Sequence, residues 1–266
     1  MRKFVIGGNW KLKVPKVEDS VEIAKNIAQE LESMNLSGVD VFIAPSYNAL
    51  YSVGKAIKGT KLKLAGQNMY FRDSGAFTGE ISPDALLEAG CEYVLLGHSE
   101  RRRIFGEDNA FINQKVKKAL EKGLKVVLCI GESAKEREEG KLKEINTTQL
   151  KECLEDVEEE QLSNIIVAYE PVWAINNPHL NPGIEIKSAT PEEAQGAHQL
   201  VRNWFKETYG GDVAQNMQIQ YGGSMKEANC GGLLPLEDID GGLIGSASVS
   251  AELFSPIIKK AVELYK

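Results

Sequence analysis

Asn164-Ile165-Ile166-Val167-Ala168-Tyr169-Glu170-Pro171-Val172-Trp173 is an apolar, β-branched run that ends on a carboxylate followed by proline. It is too short and too continuously apolar for an amphipathic helix, so it reads as a strand buried on both faces, as in a parallel sheet. Pro171 lacks the N–H that a sheet ladder needs and biases the residue before it toward extended geometry. The strand therefore stops there, and Glu170 projects from its C-terminal end. In parallel α/β folds that end is where ligands bind. Taken alone, Glu170 is only a solvated carboxylate at a strand end, and its meaning depends on the rest of the chain.

Similar apolar runs recur at Phe4–Gly8, Val39–Ala44, Leu62–Gly66, Tyr93–Gly97, Lys125–Ile130, Met217–Tyr221 and Gly242–Gly245, most of them followed by a charged segment of helical period. Alternation of this kind means β-α units and a parallel sheet. With no Pro/Ser-rich linker to mark a second domain, residues 1–266 are expected to form one α/β domain, a closed (β/α)8 barrel, with a last helix from Ser248 to Tyr265 completing the ring. Ser82-Pro83-Asp84 and Thr190-Pro191-Glu192-Glu193 are helix starts: a capping hydroxyl, proline at the first helical position, acids in the first turn. The charged stretch Ala134–Gln161 reads as one or two solvated outer helices.

Composition narrows the function classes. The 266 residues are 42% hydrophobic, enough for a large core, and the net charge of -7 with no basic block argues against nucleic acid or a membrane surface as partner. An anionic substrate must then be held by a local site. Cys91, Cys129, Cys153 and Cys230 follow no C-x-x-C spacing and read as reduced thiols of a cytoplasmic protein. No signal-peptide pattern opens the sequence, and no segment reaches membrane-spanning length.

Polar residues fall at the ends of the strand-like runs: Asn9 and Lys11, Gln67 and Asn68, His98 with Ser99 and Glu100, Glu170, Gly223 and Ser224, Gly245 and Ser246. In a barrel all of them converge on one rim. Lys, His and Glu there supply a fixed cation, a proton donor/acceptor and a base, and the Gly-Ser turns supply backbone N–H groups of the kind that cradle phosphate. Such a set suits proton abstraction beside a carbonyl on a small phosphorylated substrate. His198, in the charged helix after Thr190, is expected at the surface.

Gly8-Asn9-Trp10-Lys11, Gly75-Ala76-Phe77-Thr78-Gly79-Glu80, Gly97-His98-Ser99-Glu100-Arg101-Arg102, Cys129-Ile130-Gly131-Glu132, Ala168-Tyr169-Glu170-Pro171-Val172-Trp173 and Tyr221-Gly222-Gly223-Ser224 resemble the signature segments of the triosephosphate isomerase family, in the family's order and across the whole chain. The resemblance implies a homodimer with no metal or organic cofactor that interconverts dihydroxyacetone phosphate and glyceraldehyde 3-phosphate. Glu170 would be the base, His98 the electrophile, Asn9 a positioning group and Lys11 the cation. The family is the known case of a catalytic histidine kept neutral by a helix N-terminus, and Ser99–Arg102 can open such a helix here. Glu100 would orient Lys11, although it also reads as a helix-start acid. Ile175 and Leu243 would form an apolar clamp whose desolvation raises the basicity of Glu170. The backbone at Ser224, Gly245 and Ser246 would hold phosphate. Phe77 and Thr78 would be the tip of a dimer-forming loop.

The sequence departs from the family after Glu170. The segment from Asn176 to Lys187 is an insertion of roughly eight residues, in a position where βα loops commonly have only ~2–6. Asn176 stands where a lid glycine would give its N–H to phosphate, and Leu180, Ile184 and Ile186 are expected to pack on the barrel rim. Ser246 replaces a second glycine, and Lys13, Val14 and Pro15 depart from the usual first loop. Two other readings follow from the altered lid: a catalytically weakened sugar-phosphate-binding dimer, and an isomerase of a bulkier phosphorylated sugar.

Overall fold

The computed structural model describes residues 2–183 and 188–265. Its strands are β1 (Phe4–Asn9), β2 (Val39–Ala44), β3 (Lys63–Gly66), β4 (Cys91–Leu96), β5 (Lys125–Ile130), β6 (Ile165–Tyr169), β7 (Gln218–Tyr221) and β8 (Gly241–Ile244). They pair in sequence order, all parallel, into a closed barrel, with Val5 of β1 opposite both Asp40 of β2 and Gly241 of β8. Closure removes every sheet edge, which is why nearly all strand residues are buried.

Inside the barrel, Val5, Phe42, Tyr93, Leu95, Val127, Ile166 and Leu243 belong to one apolar cluster, and Phe42 stacks on Tyr93 at 4.9 Å. A larger cluster fills the space between the strands and the outer helices. The expected helix starts form as read: Ser82 accepts from the Ala85 N–H at 3.2 Å, and Thr190 and Glu193 make a reciprocal capping box. Helix Ala251–Leu264 packs against helix Val17–Glu32 and completes the outer ring.

One expectation is overturned. His198 is not a surface residue: its helix, Pro191–Tyr209, buries Ala194, Ala197, His198, Val201 and Phe205, and His198 is fully enclosed with Nδ1 3.1 Å from the Asp238 carbonyl. Burial lowers its pKa to about 4. The charged stretch Ala134–Gln161 does give outer helices, Ala134–Glu138 and Leu142–Cys153, but the second turns Asn146, Gln149, Leu150 and Cys153 inward. All four cysteines are free and buried. Among the described residues no helix is long and apolar enough to cross a membrane.

Candidate active site

The barrel brings Asn9, Lys11, His98 and Glu170 together from β1, β4 and β6. His98 Nε2 lies 3.0 Å from Glu170 Oε1, and Lys11 Nζ donates to Glu100 Oε1 at 2.8 Å. Each is fixed by its own chain. Lys11 sits at φ 53, a left-handed conformation that costs energy for a residue with a side chain. Its N–H donates to Asn9 Oδ1 at 3.2 Å and its carbonyl accepts from Gln67 Nε2 at 2.9 Å. His98 follows Gly97, whose φ of 72 swings the chain inward; a Cβ there would lie 3.0 Å from the Cys129 carbonyl. Glu170 needs the bare backbone of Gly222, where a Cβ would come within 2.8 Å of its Cγ.

Hydrogen bonding assigns the His98 tautomer. The Glu100 N–H donates to His98 Nδ1 at 3.2 Å, so Nδ1 is an acceptor and the ring proton belongs on Nε2, the nitrogen that faces Glu170. A neutral imidazole with its N–H pointed into the site is an electrophile.

Glu170 is almost fully buried. Burial pushes its pKa up, as the apolar clamp led us to expect. The outcome is the reverse: the His98 imidazole, the Ser99 N–H and the Lys11 charge outweigh burial and hold the carboxyl below its ordinary value. His98 contributes most, and Ser99 adds to it: its N–H donates to Oε2 at 2.8 Å and its hydroxyl to Oε1 at 3.2 Å. In this geometry the carboxylate is stabilised as an anion, and it has to leave Ser99 to act as a strong base.

A cavity of about 570 Å³ opens above these groups. Asn9, Lys11, His98, Glu100 and Glu170 line it together with Ser224, Gly245 and Ser246. Ile175, Asn176 and Leu243 close the side, so every residue expected to bind substrate or to form the clamp borders one space. A second depression of about 330 Å³ lies at the opposite end of the barrel between Glu159 and Gln218, and none of the strand-end residues reaches it. Phe77 and Thr78 stand apart on an exposed loop, with Phe77 packed on Tyr70 at 4.6 Å.

The segment that follows Ile175 supplies a residue that the sequence reading missed. Asn176 is exposed at the cavity wall, whereas its neighbour Asn177 reaches the catalytic floor, donating to Glu100 Oε1 at 2.9 Å. Asn181, nearly fully buried, donates to the carbonyls of Val172 and Ile175 at 2.8 Å each. Leu180 is half-buried, while Ile184 and Ile186 lie outside the described residues. Where the segment leaves the barrel, buried Glu132 accepts from Tyr169 Oη and Trp173 Nε1 at 2.9 Å each and from Asn146 Nδ2 at 3.0 Å.

The sequence profile of the triosephosphate isomerase family matches residues 4–261. The chain belongs to the triosephosphate isomerase family. Curated relatives of that name agree over nearly their whole length. The one from Fusobacterium nucleatum is 46% identical over 260 residues, covering 97% of this chain and 99% of the relative. That from Chlorobium phaeovibrioides is 44% identical over 261 residues, covering 98% and 100%. That from Chlorobaculum tepidum is 46% identical over 256 residues, covering 96% and 99%. Triosephosphate isomerases thus share this chain's full extent, not one half of its barrel.

Proposed function

We infer that the protein is an enzyme, an intramolecular aldose–ketose isomerase that interconverts dihydroxyacetone phosphate and D-glyceraldehyde 3-phosphate in glycolysis and gluconeogenesis. The observation that carries this reading is the convergence of Glu170, His98, Lys11 and Asn9 on a cavity that Ser224, Gly245 and Ser246 also line. With the phosphate held by the backbone at Ser224, Gly245 and Ser246 and by Asn176, the carbonyl oxygen faces His98 Nε2–H and Lys11 Nζ. Glu170 takes a proton from the hydroxymethyl carbon, and the electron pair moves through the new C=C bond onto the carbonyl oxygen. Lys11 and the His98 N–H stabilise that oxyanion as it forms. His98 moves the hydroxyl proton between the two oxygens, and Glu170 returns its proton to the neighbouring carbon. No atom is gained or lost.

Glu100 holds Lys11, and Ser99 holds Glu170 until substrate displaces it. Ile175 and Leu243 exclude water from the enediolate, which otherwise expels phosphate. We further propose that residues 1–266 act as one cytoplasmic domain and that two copies pair through the Phe77–Thr78 loop. Leu12 is 86% exposed beside the site, and Phe77, Ile104 and Phe105 are also exposed, an apolar set that a second copy would cover. Neither the weakened binder nor the bulkier-sugar isomerase is favoured: no catalytic side chain is missing, and the relatives carry one name.

The test is steady-state isomerisation of glyceraldehyde 3-phosphate by the wild type and Glu170→Gln. The wild type should turn over and the variant should lose roughly 10³-fold or more in kcat. Equal rates in the two proteins would sink the assignment.

A further inference from the structure

Two of the residues that set this sequence apart, Lys13 and Ser246, are 233 positions apart and yet in contact: Lys13 Nζ donates to Ser246 Oγ. Both border the catalytic cavity. The contact is built by the backbone. The Lys13 N–H donates to the Trp10 carbonyl at 3.1 Å, closing a turn around the left-handed Lys11. Fully buried Trp10 and buried Val14 anchor that turn on either side. It therefore sends Lys11 and Lys13 to the same cavity, one toward the carboxylates and one toward the Gly245–Ser246 turn.

Charge gives this placement a purpose. The lysines that line the cavity are Lys11, Lys13 and Lys226, and the carboxylates are Glu100, Glu170 and Glu227, three against three, so the formal charge is zero. Without Lys13 it would be -1, in a chain whose net charge is already -7. Lys11 is already engaged by Glu100, whereas Lys13 has no carboxylate partner among the described residues. Burial and the neighbouring Lys11 charge lower the Lys13 pKa. This penalty is relieved when an anion arrives beside Lys13. A phosphate dianion at Ser224, Gly245 and Ser246 is such an anion.

We propose that Lys13, aimed by the Ser246 hydroxyl, is a second cation for the substrate's phosphate group and a specificity-determining residue of this chain. The assignment rests on the reading of the substrate as a phosphorylated triose. It makes Ser246 more than a replaced glycine: the hydroxyl holds a charge where a glycine offers only its N–H.

The experiment is calorimetric titration with inorganic phosphate, beside steady-state kinetics, for wild type, Lys13→Met, Lys13→Arg, Ser246→Gly and the Met/Gly double variant. Removing one charge-assisted hydrogen bond at an exposed site should weaken phosphate roughly five- to tenfold and raise KM by a similar factor, with a smaller change in kcat. Arg should restore most of the loss, which a purely structural role of the lysine stem would not require. Ser246→Gly should cost about two- to threefold, and the double variant should be no weaker than Lys13→Met alone. Phosphate affinity unchanged in Lys13→Met overturns the proposal, and strictly additive losses overturn the pairing with Ser246. A wild type that binds phosphate through Lys13 and yet fails to isomerise triose phosphates removes the functional reading and leaves the phosphate assignment standing.

Discussion

The floor of the cavity and the segment that follows Ile175 are held by different means. Asn9, Lys11, His98 and Glu170 stand at the ends of strands fixed on both sides by neighbouring strands, and their partners come from distant parts of the chain. Residues 176–183 are held locally: Asn177 accepts the His179 N–H at 2.9 Å, and Asn181 bonds carbonyls six and nine residues back. Among the described residues, only the Asn177 bond to Glu100 joins the segment's tip to the floor. The floor is rigid because displacing it would open a closed sheet. Residues 176–183 can change course at the cost of a few hydrogen bonds.

Glu132 is where the two regions are tied, and removing it should break the contrast most severely. Glu132→Ala strips the Tyr169 hydroxyl, the Trp173 indole and the Asn146 amide of a shared buried acceptor. The expected destabilisation is about 4 kcal/mol, measured by urea unfolding. A loss below ~1 kcal/mol would mean that the segment's base is anchored elsewhere.

His198 tests the rigidity of the barrel side alone. Its pKa is about 4 in the fold against 6.5 for the free side chain. Above pH 6.5 neither state carries the charge; as pH falls toward 4 the unfolded chain takes up a proton that the folded protein refuses. Stability should therefore drop by about 3 kcal/mol across that window. His198→Gln should flatten this part of the profile relative to wild type, whatever its effect at pH 7. An identical slope in the two proteins would show that other groups carry the acid response.

The smallest effect sharpens the comparison from the other side. Asn181→Ala leaves the Val172 and Ile175 carbonyls without their donor and should loosen the segment by ~1–2 kcal/mol, seen as faster amide exchange there. Global stability in urea should hardly move. Poorer closure should raise the share of turnovers that end in methylglyoxal. A global destabilisation with no change in leakage would place Asn181 in the barrel's own structure instead.

The strands were legible because continuous apolar runs leave few alternatives, and seven of the eight both begin and end within a residue or so of their expected bounds. The exception is β4, which starts at Cys91, where the exposed Glu92 interrupts the apolar pattern. His198 was misread although the signal was present: Ala194, Ala197, Val201 and Phe205 recur at helical spacing, and His198 falls within that stripe. A charged neighbourhood masked a buried face. Asn177 was missed because two adjacent asparagines are indistinguishable until the backbone direction between them is known.

By itself the sequence determined the number of β-α units, the strand ends on which Asn9, Lys11, His98 and Glu170 stand, and the family. These follow from local patterning and from short motifs, which are carried in residue order. Only the tertiary structure decided that Glu170 rests on Ser99 with its pKa lowered, that Asn177 and not Asn176 meets Glu100, and that Lys13 meets Ser246. Each of these depends on the balance of burial against partners at one point in space, and those partners come from segments whose separation in sequence says nothing of their distance in the fold.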